Sequence, residues 1–115
     1  MRTAFGYAWS KLYLAILAMT TSTAPLPERV ASAFRQHLSP LNSQNTPPHV
    51  FERLRAVRAR LAHMAEEEVE EDATLDIVPL TAAEAAAIAE ELLSLYDELA
   101  KTKGRDAEAA EVRPR

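Results

Sequence analysis

The chain has 115 residues, 48% apolar, 6% aromatic and 26% charged, with a formal net charge of −4, two glycines and no cysteine. That length supports one domain with a single core; the missing thiols exclude disulfide scaffolds, thiolate zinc sites and cysteine nucleophiles, and two glycines leave little for tight hairpins or a phosphate-cradling loop. The charge is polarised, because residues 1–64 hold eight Lys or Arg against two Glu (+6) and residues 65–115 hold five against fifteen Asp or Glu (−10), a dipole that self-pairing, back-folding or a charged partner neutralises.

A first helix is predicted over residues 4–20, where Trp9, Leu12, Tyr13, Ile16 and Met19 recur at spacings of three and four. Leu14 and Leu17 widen the apolar face, so deep burial is expected, with Trp9 and Tyr13 in the core and Phe5 and Tyr7 partly exposed at the end of the chain. The same stretch imitates a secretory signal through Arg2, the apolar run Leu12 to Met19 and the small residues Ser22, Thr23 and Ala24. Lys11 directly before a run of only eight residues, and Pro25 next to the cut, count against that reading. The run also falls short of the ~20 apolar residues a membrane span needs.

Ser22 or Thr23 is expected to cap a second helix, with Pro25 or Pro27 in its first turn. Over residues 25–38, Leu26, Val30, Ala33, Phe34 and Leu38 fall on one side, with Leu41 beyond, and Pro40 ends the helix. Residues 39–48 collect Ser, Asn, Gln, Thr and three prolines, the composition of a solvent-exposed connection. Thr46, ahead of Pro47 and Pro48, opens a third helix over 48–64 in which Val50, Leu54, Val57, Leu61 and Met64 alternate spacings of four and three and Phe51 broadens the seam. Arg53, Arg55, Arg58 and Arg60 take its remaining faces.

The acidic run Glu66 to Asp72, broken only by Val69, begins a connection reaching Leu80 that is expected to cross the bundle toward those arginines. Ala73 to Val78 reads as extended, with Leu75 and Ile77 on one side, although a strand of that length has no obvious partner. The last helix is predicted over 81–103: Pro79 stops what precedes, Thr81 and Glu84 form a capping box, and Ile88, Leu92, Leu95, Tyr96 and Leu99 make a stripe that ends at Gly104. Asp97 and Lys101, one turn apart, support it. Residues 105–115, charged and Ala-rich, are expected to be a disordered tail. The fold class is all-α, a single bundle of about four helices over 1–104 with an acidic crossover.

Three stretches carry a resemblance: Lys11-Leu12-Tyr13 in the first helix, Thr23-Ala24-Pro25-Leu26-Pro27-Glu28-Arg29 opening the second, and Leu93-Ser94-Leu95-Tyr96-Asp97-Glu98 in the last. Over residues 9 to 100 the chain resembles a group of small bacterial helical proteins with no assigned activity. The resemblance implies that residues 9–24 belong to the folded domain, and it implies no site. The acidic insert Glu66 to Asp72 departs from the pattern at the connection to the last helix.

No chemistry assembles from local spacing. His37, His49 and His63 stand twelve and fourteen residues apart, and His63 with Glu67 makes only a two-donor pair. The carboxylates of residues 66–72 share one solvated environment, whereas acid–base work needs divergent ones. No serine has a Gly-flanked elbow. The third helix could lie along phosphates, yet between Val50 and Met64 it carries no Asn, Gln or Ser to read base edges; pairing of its arginines with acids of the same chain or of a copy is the favoured reading.

The sequence therefore reads as a non-catalytic cytoplasmic protein, without cofactor or metal, that binds a protein partner or itself as an adaptor or regulator. Val50, Leu54, Val57, Leu61, Ile88, Leu92, Leu95 and Tyr96 form the expected packing seam, and Arg53, Arg55, Arg58 and Arg60 the expected interaction face. The alternatives are a small nucleic-acid-binding regulator using the third helix, and a secreted or periplasmic protein that loses residues 1–24.

Overall fold

The structure is a computed structural model that describes residues 4–70 and 75–112, with side chains placed for 6–70 and 75–101. Among the described residues four helices make up the fold: α1 (Ala4–Thr21), α2 (Leu26–Ala33), which runs on as a π-helical turn over Phe34–Leu38, α3 (Pro48–Ala62) and α4 (Ala82–Val112). A 3-10 turn, Glu66–Glu68, follows α3. No strand occurs among the described residues. The long α4 is the spine, because α1, α2 and α3 each pack against it, while α1 also packs on α2 and its π turn. No described helix is long and apolar enough to cross a membrane.

The core is aliphatic. Ala8, Leu12, Ala15 and Met19 of α1 meet Val30, Ala33, Phe34 and Leu38, then Val50, Leu54, Val57 and Leu61, then Ala85, Ile88, Leu92, Leu95 and Leu99. Small residues on α1 let the helices approach closely, which a core with so few rings requires. The π turn is closed by the Ser39 amide donating to the Phe34 carbonyl at 2.9 Å; its wider spacing keeps Phe34, Leu38 and the following Leu41 all turned inward.

Helix ends depart from expectation where prolines take over the capping. Pro25 and Pro47, not Ser22, Thr23 or Thr46, are the N-caps of α2 and α3, and neither helix has a side-chain cap. Ser22 Oγ instead accepts from the Ala24 amide at 3.1 Å. A proline at the cap holds the extended backbone that a helix start needs without a hydroxyl. In α4 the capping box forms in both directions: the Thr81 amide donates to Glu84 Oε1 at 2.9 Å and the Glu84 amide to Thr81 Oγ1 at 3.1 Å. Arg29 Nη1 donates to the Met19 carbonyl at 3.0 Å, placing a cation at the C-terminal end of α1.

Gly104 does not end α4, which runs on to Val112. The residues after it are strong helix formers, and one internal glycine costs only ~1 kcal/mol. The tail expected over 105–115 lies outside the residues whose side chains are described, and 113–115 lie outside the described backbone.

The two connections are more ordered than their composition suggests. In the first, Asn42 Oδ1 accepts from the amides of Gln44 and Asn45 at 2.9 and 3.0 Å, and Asn45 Oδ1 accepts from the Asn42 amide at 2.8 Å. These Asx turns bury Leu41 and Thr46 in what the composition marks as an exposed loop. In the second, Val69 is buried against α3 while Glu66, Glu67, Glu68 and Glu70 stay exposed. Leu75 and Ile77 then pack against the core without forming a strand, and the Val78 amide donates to the Leu61 carbonyl at 2.9 Å, satisfying an end-of-helix acceptor.

Candidate interaction surface

The four arginines of α3 do not form one face. Arg53 reaches across to α4, donating from Nε and Nη2 to Glu91 at 3.0 and 2.8 Å, from Nη1 to Glu98 Oε2 at 2.5 Å and from Nη2 to Ser94 Oγ at 3.1 Å. His49 Nε2 lies 3.7 Å from the other Glu98 oxygen. The hydrogen bonds from Arg53 hold the Glu91 carboxyl below the ordinary glutamate value against the opposing effect of partial burial, with the charges of Arg53 and Arg60 adding to the effect. The Glu91 bonds in turn raise the Arg53 guanidinium above its ordinary value.

Arg58 is buried, at 6% exposure. Its Nη2 donates to the Leu41 carbonyl at 2.7 Å and the Ser39 carbonyl at 3.2 Å, and its guanidinium lies 5.6 Å from the Phe34 ring centre. A cation thus closes the C-terminal end of α2, where backbone acceptors and the helix dipole both favour it. Arg55 Nε donates to the Glu66 carbonyl at 3.0 Å, so the acidic run meets α3 through its backbone there. The ion pairs made by α3 among the described residues go to α4; Glu71 and Asp72 lie outside those residues. Arg60 is exposed.

His63 pairs with Glu84 rather than with Glu67. It ends α3 at φ 52°, ψ 48°, a left-handed conformation, with its amide donating to the Arg60 carbonyl at 3.4 Å and the Met64 amide donating to the Ala59 carbonyl at 2.9 Å. This is a Schellman ending with histidine where glycine is usual. The turn aims Nε2 at Glu84 Oε2, 2.8 Å away in the capping box of α4. The Thr81 amide first, and the His63 bond after it, hold the Glu84 carboxyl below its ordinary value. A shallow groove of about 640 Å³ between α3 and α4 is floored by Ala56, Ala59, Ala83 and Ala87 with Arg60, His63 and Glu84 on its walls. Among the described residues no group of three or more His, Cys, Asp or Glu is placed to hold a metal ion.

The expected seam residues sit together in the interior: Val50, Leu54, Val57, Leu61, Ile88, Leu92 and Leu95 are all buried, and Tyr96 packs against them half-buried. They hold the fold and offer nothing to a partner. Among the described residues, three of the four exposed large apolar side chains lie on α1, where Tyr13, Leu14 and Leu17 are 45%, 37% and 42% exposed. This corrects the deep burial expected of Leu14 and Leu17 and the core position expected of Tyr13, since α2 and α4 cover one side of the helix and its outer side is left open. Tyr13 closes a three-ring cluster with Trp9 and Tyr96, centroids 5.8 to 6.3 Å apart, that joins α1 to α4. Tyr7 is half-buried with Lys11 Nζ 5.5 Å from its ring centre, and Phe5 lies outside the described side chains. Leu93 of α4 lies off the apolar stripe of its helix and is 55% exposed.

Comparison of the chain with protein families, with curated proteins and with solved structures finds no match.

Proposed function

We propose that this chain is a non-catalytic helical protein that acts by binding a protein surface through the outward side of α1. The observation that carries the reading is the exposure of Tyr13, Leu14 and Leu17 on an 18-residue helix whose only charged residue is Lys11. A helix that is apolar all round is ordinarily enclosed, and an apolar strip left open on a small domain is the usual mark of an interface. The surface differs from the arginine face the sequence suggested: Arg53 and Arg58 hold α3 to its neighbours, which also removes two cations from the nucleic-acid reading. Retention of residues 1–24 belongs to the same reading, because cleavage after Ala24 would strip Ala8, Leu12, Ala15 and Met19 from the core.

A photo-crosslinking residue placed at Leu17, with a control at Glu52 on the exposed side of α3, tests the proposal in the cell. Discrete protein adducts from position 17 and none from 52 are expected. Equal labelling from both positions, or none from either, refutes it.

A further inference from the structure

Resting on that reading of α1, the geometry points to a second copy of the same chain as the occupant, with the two α1 helices antiparallel across a two-fold axis. At 100° per residue, Gly6, Ser10, Leu14, Leu17 and Thr21 fall within a strip about 80° wide on the outer side of the helix. The strip is divided along its length. Its N-terminal half is small, with Gly6 and Ser10, and its C-terminal half is large, with the exposed Leu14 and Leu17.

Such a surface complements itself in one orientation. Two copies running the same way set Leu14 and Leu17 against each other and leave the Gly6 and Ser10 ends apart. Run in opposite directions, with the axis level with residue 12, each Leu14 lies over Ser10 of the second copy and each Leu17 over its Gly6 turn. Large side chains then meet small ones on both sides, as ridge-into-groove packing and an isologous contact require.

Charge points the same way. The first turn of α1 has no acidic residue and the last turn no basic one, so its own sequence leaves the helix dipole uncompensated at both ends, apart from the contact of Arg29 with the Met19 carbonyl. An antiparallel copy sets the positive end of one helix beside the negative end of the other. Lys11, the one charge of the helix, lies beside the strip and not within it, with its Nζ 5.5 Å from the Tyr7 ring centre. The strip supplies a few hundred Å², less than the ~800 Å² per partner of a standard stable interface. The pair is therefore reversible and forms at high concentration.

Sedimentation of the full chain between ~10 μM and ~1 mM reads the association directly. Monomers at the low end and dimers at the high end are expected. Leu17→Glu weakens the dimer at least ~10-fold by placing a charge in the strip, and Ser10→Leu weakens it comparably by filling the small half. Helical circular dichroism and the urea midpoint, unchanged in both variants, show that the fold is kept. Because the chain has no cysteine, Ser10→Cys mixed with Leu14→Cys yields the mixed disulfide in preference to either homodimer. A chain monomeric at ~1 mM, a Ser10→Leu variant that associates as well as or better than wild type, or a preference of the Ser10→Cys chain for linking to its own kind overturns the proposal. If position 17 crosslinks in the cell to a protein of another mass while the chain stays monomeric at ~1 mM, the proposed function stands and the second copy falls; if it crosslinks to nothing and the chain stays monomeric, both fall.

Discussion

Replacing Arg58 by methionine keeps most of the aliphatic stem and removes the guanidinium. The loss includes a charge-assisted hydrogen bond to the Leu41 carbonyl at 2.7 Å, a longer one to the Ser39 carbonyl at 3.2 Å, and the contact with the Phe34 ring. A hydrogen bond to a charged group contributes ~1.5–3 kcal/mol net, and a buried carbonyl left without a donor costs ~1–3 kcal/mol. Against these, Arg58→Met no longer has to bury a charge, a gain of several kcal/mol in the limit of full desolvation, so we expect a net loss of about 2–4 kcal/mol. Arg58→Lys keeps the charge but loses the planar guanidinium that reaches both carbonyls through Nη2 while lying over the Phe34 ring, and sits about halfway. By contrast Arg53, one-third exposed, pairs with glutamates that are 28% and 42% exposed, and Arg53→Met costs only ~1 kcal/mol. Urea unfolding at neutral pH, with the m-value checked for constancy, measures the series. A domain of this size has ~5–15 kcal/mol to lose, so the variants still fold. If Arg58→Met lies within ~0.5 kcal/mol of wild type, or Arg53→Met costs more than Arg58→Met, the assignment of Arg58 as the closure of α2 is wrong.

Four further outcomes follow from the same contacts. His63→Gly relieves a left-handed histidine and lands at or up to ~1 kcal/mol above wild-type stability, whereas His63→Val loses more than ~1 kcal/mol because a β-branched residue tolerates that conformation poorly; urea midpoints in the order Gly, His, Val are expected. Thr81→Ala removes the hydroxyl that caps α4 and costs ~1 kcal/mol, with faster amide exchange confined to the first turn as its signature. The Glu91 carboxyl titrates below 4.5 in the fold, so its contribution is present at higher pH and is lost as pH falls from about 4.5 through the folded value. The melting temperature of Glu91→Gln should fall less steeply over that range than that of wild type, and parallel curves would exclude the Arg53 link as its origin. Deleting residues 1–24 removes the α1 share of the core, and a deletion chain that still unfolds cooperatively with a fixed near-UV spectrum would contradict the place given to α1.

Periodicity makes most of the fold legible in the sequence. Most seam positions of α2, α3 and α4 are buried, because each apolar stripe repeats at the helical spacing and packs against its neighbours on that side. The capping box was legible for the same reason, since Thr81 and Glu84 act at fixed local spacing. What periodicity does not encode is the environment of residues that look alike. Arg53, Arg55, Arg58 and Arg60 are chemically identical and closely spaced, yet one is buried on carbonyls from the loop after α2, one bridges to α4 and one binds a backbone oxygen after α3. Those partners lie 11 to 45 residues away, and no local rule ranks them. His63 escaped for a different reason. Its left-handed turn is the place for glycine or asparagine, and the sequence offers neither there.

The charge polarity of the chain bears on the same question. Part of it is cancelled inside the fold, where Arg53 of the basic half meets Glu91 and Glu98 of the acidic half. Glu66, Glu67, Glu68 and Glu70 remain in solvent, where like charges repel and keep this edge of the molecule away from its copies. The strip on the outer side of α1 holds no charged residue, so another molecule can cover it without desolvating an ion there. For the proposed contact, desolvation matters more than attraction between charges: an apolar strip gives up little on leaving water and gains ~25 cal/mol for each Å² covered, while burying even one unpaired carboxylate costs several kcal/mol.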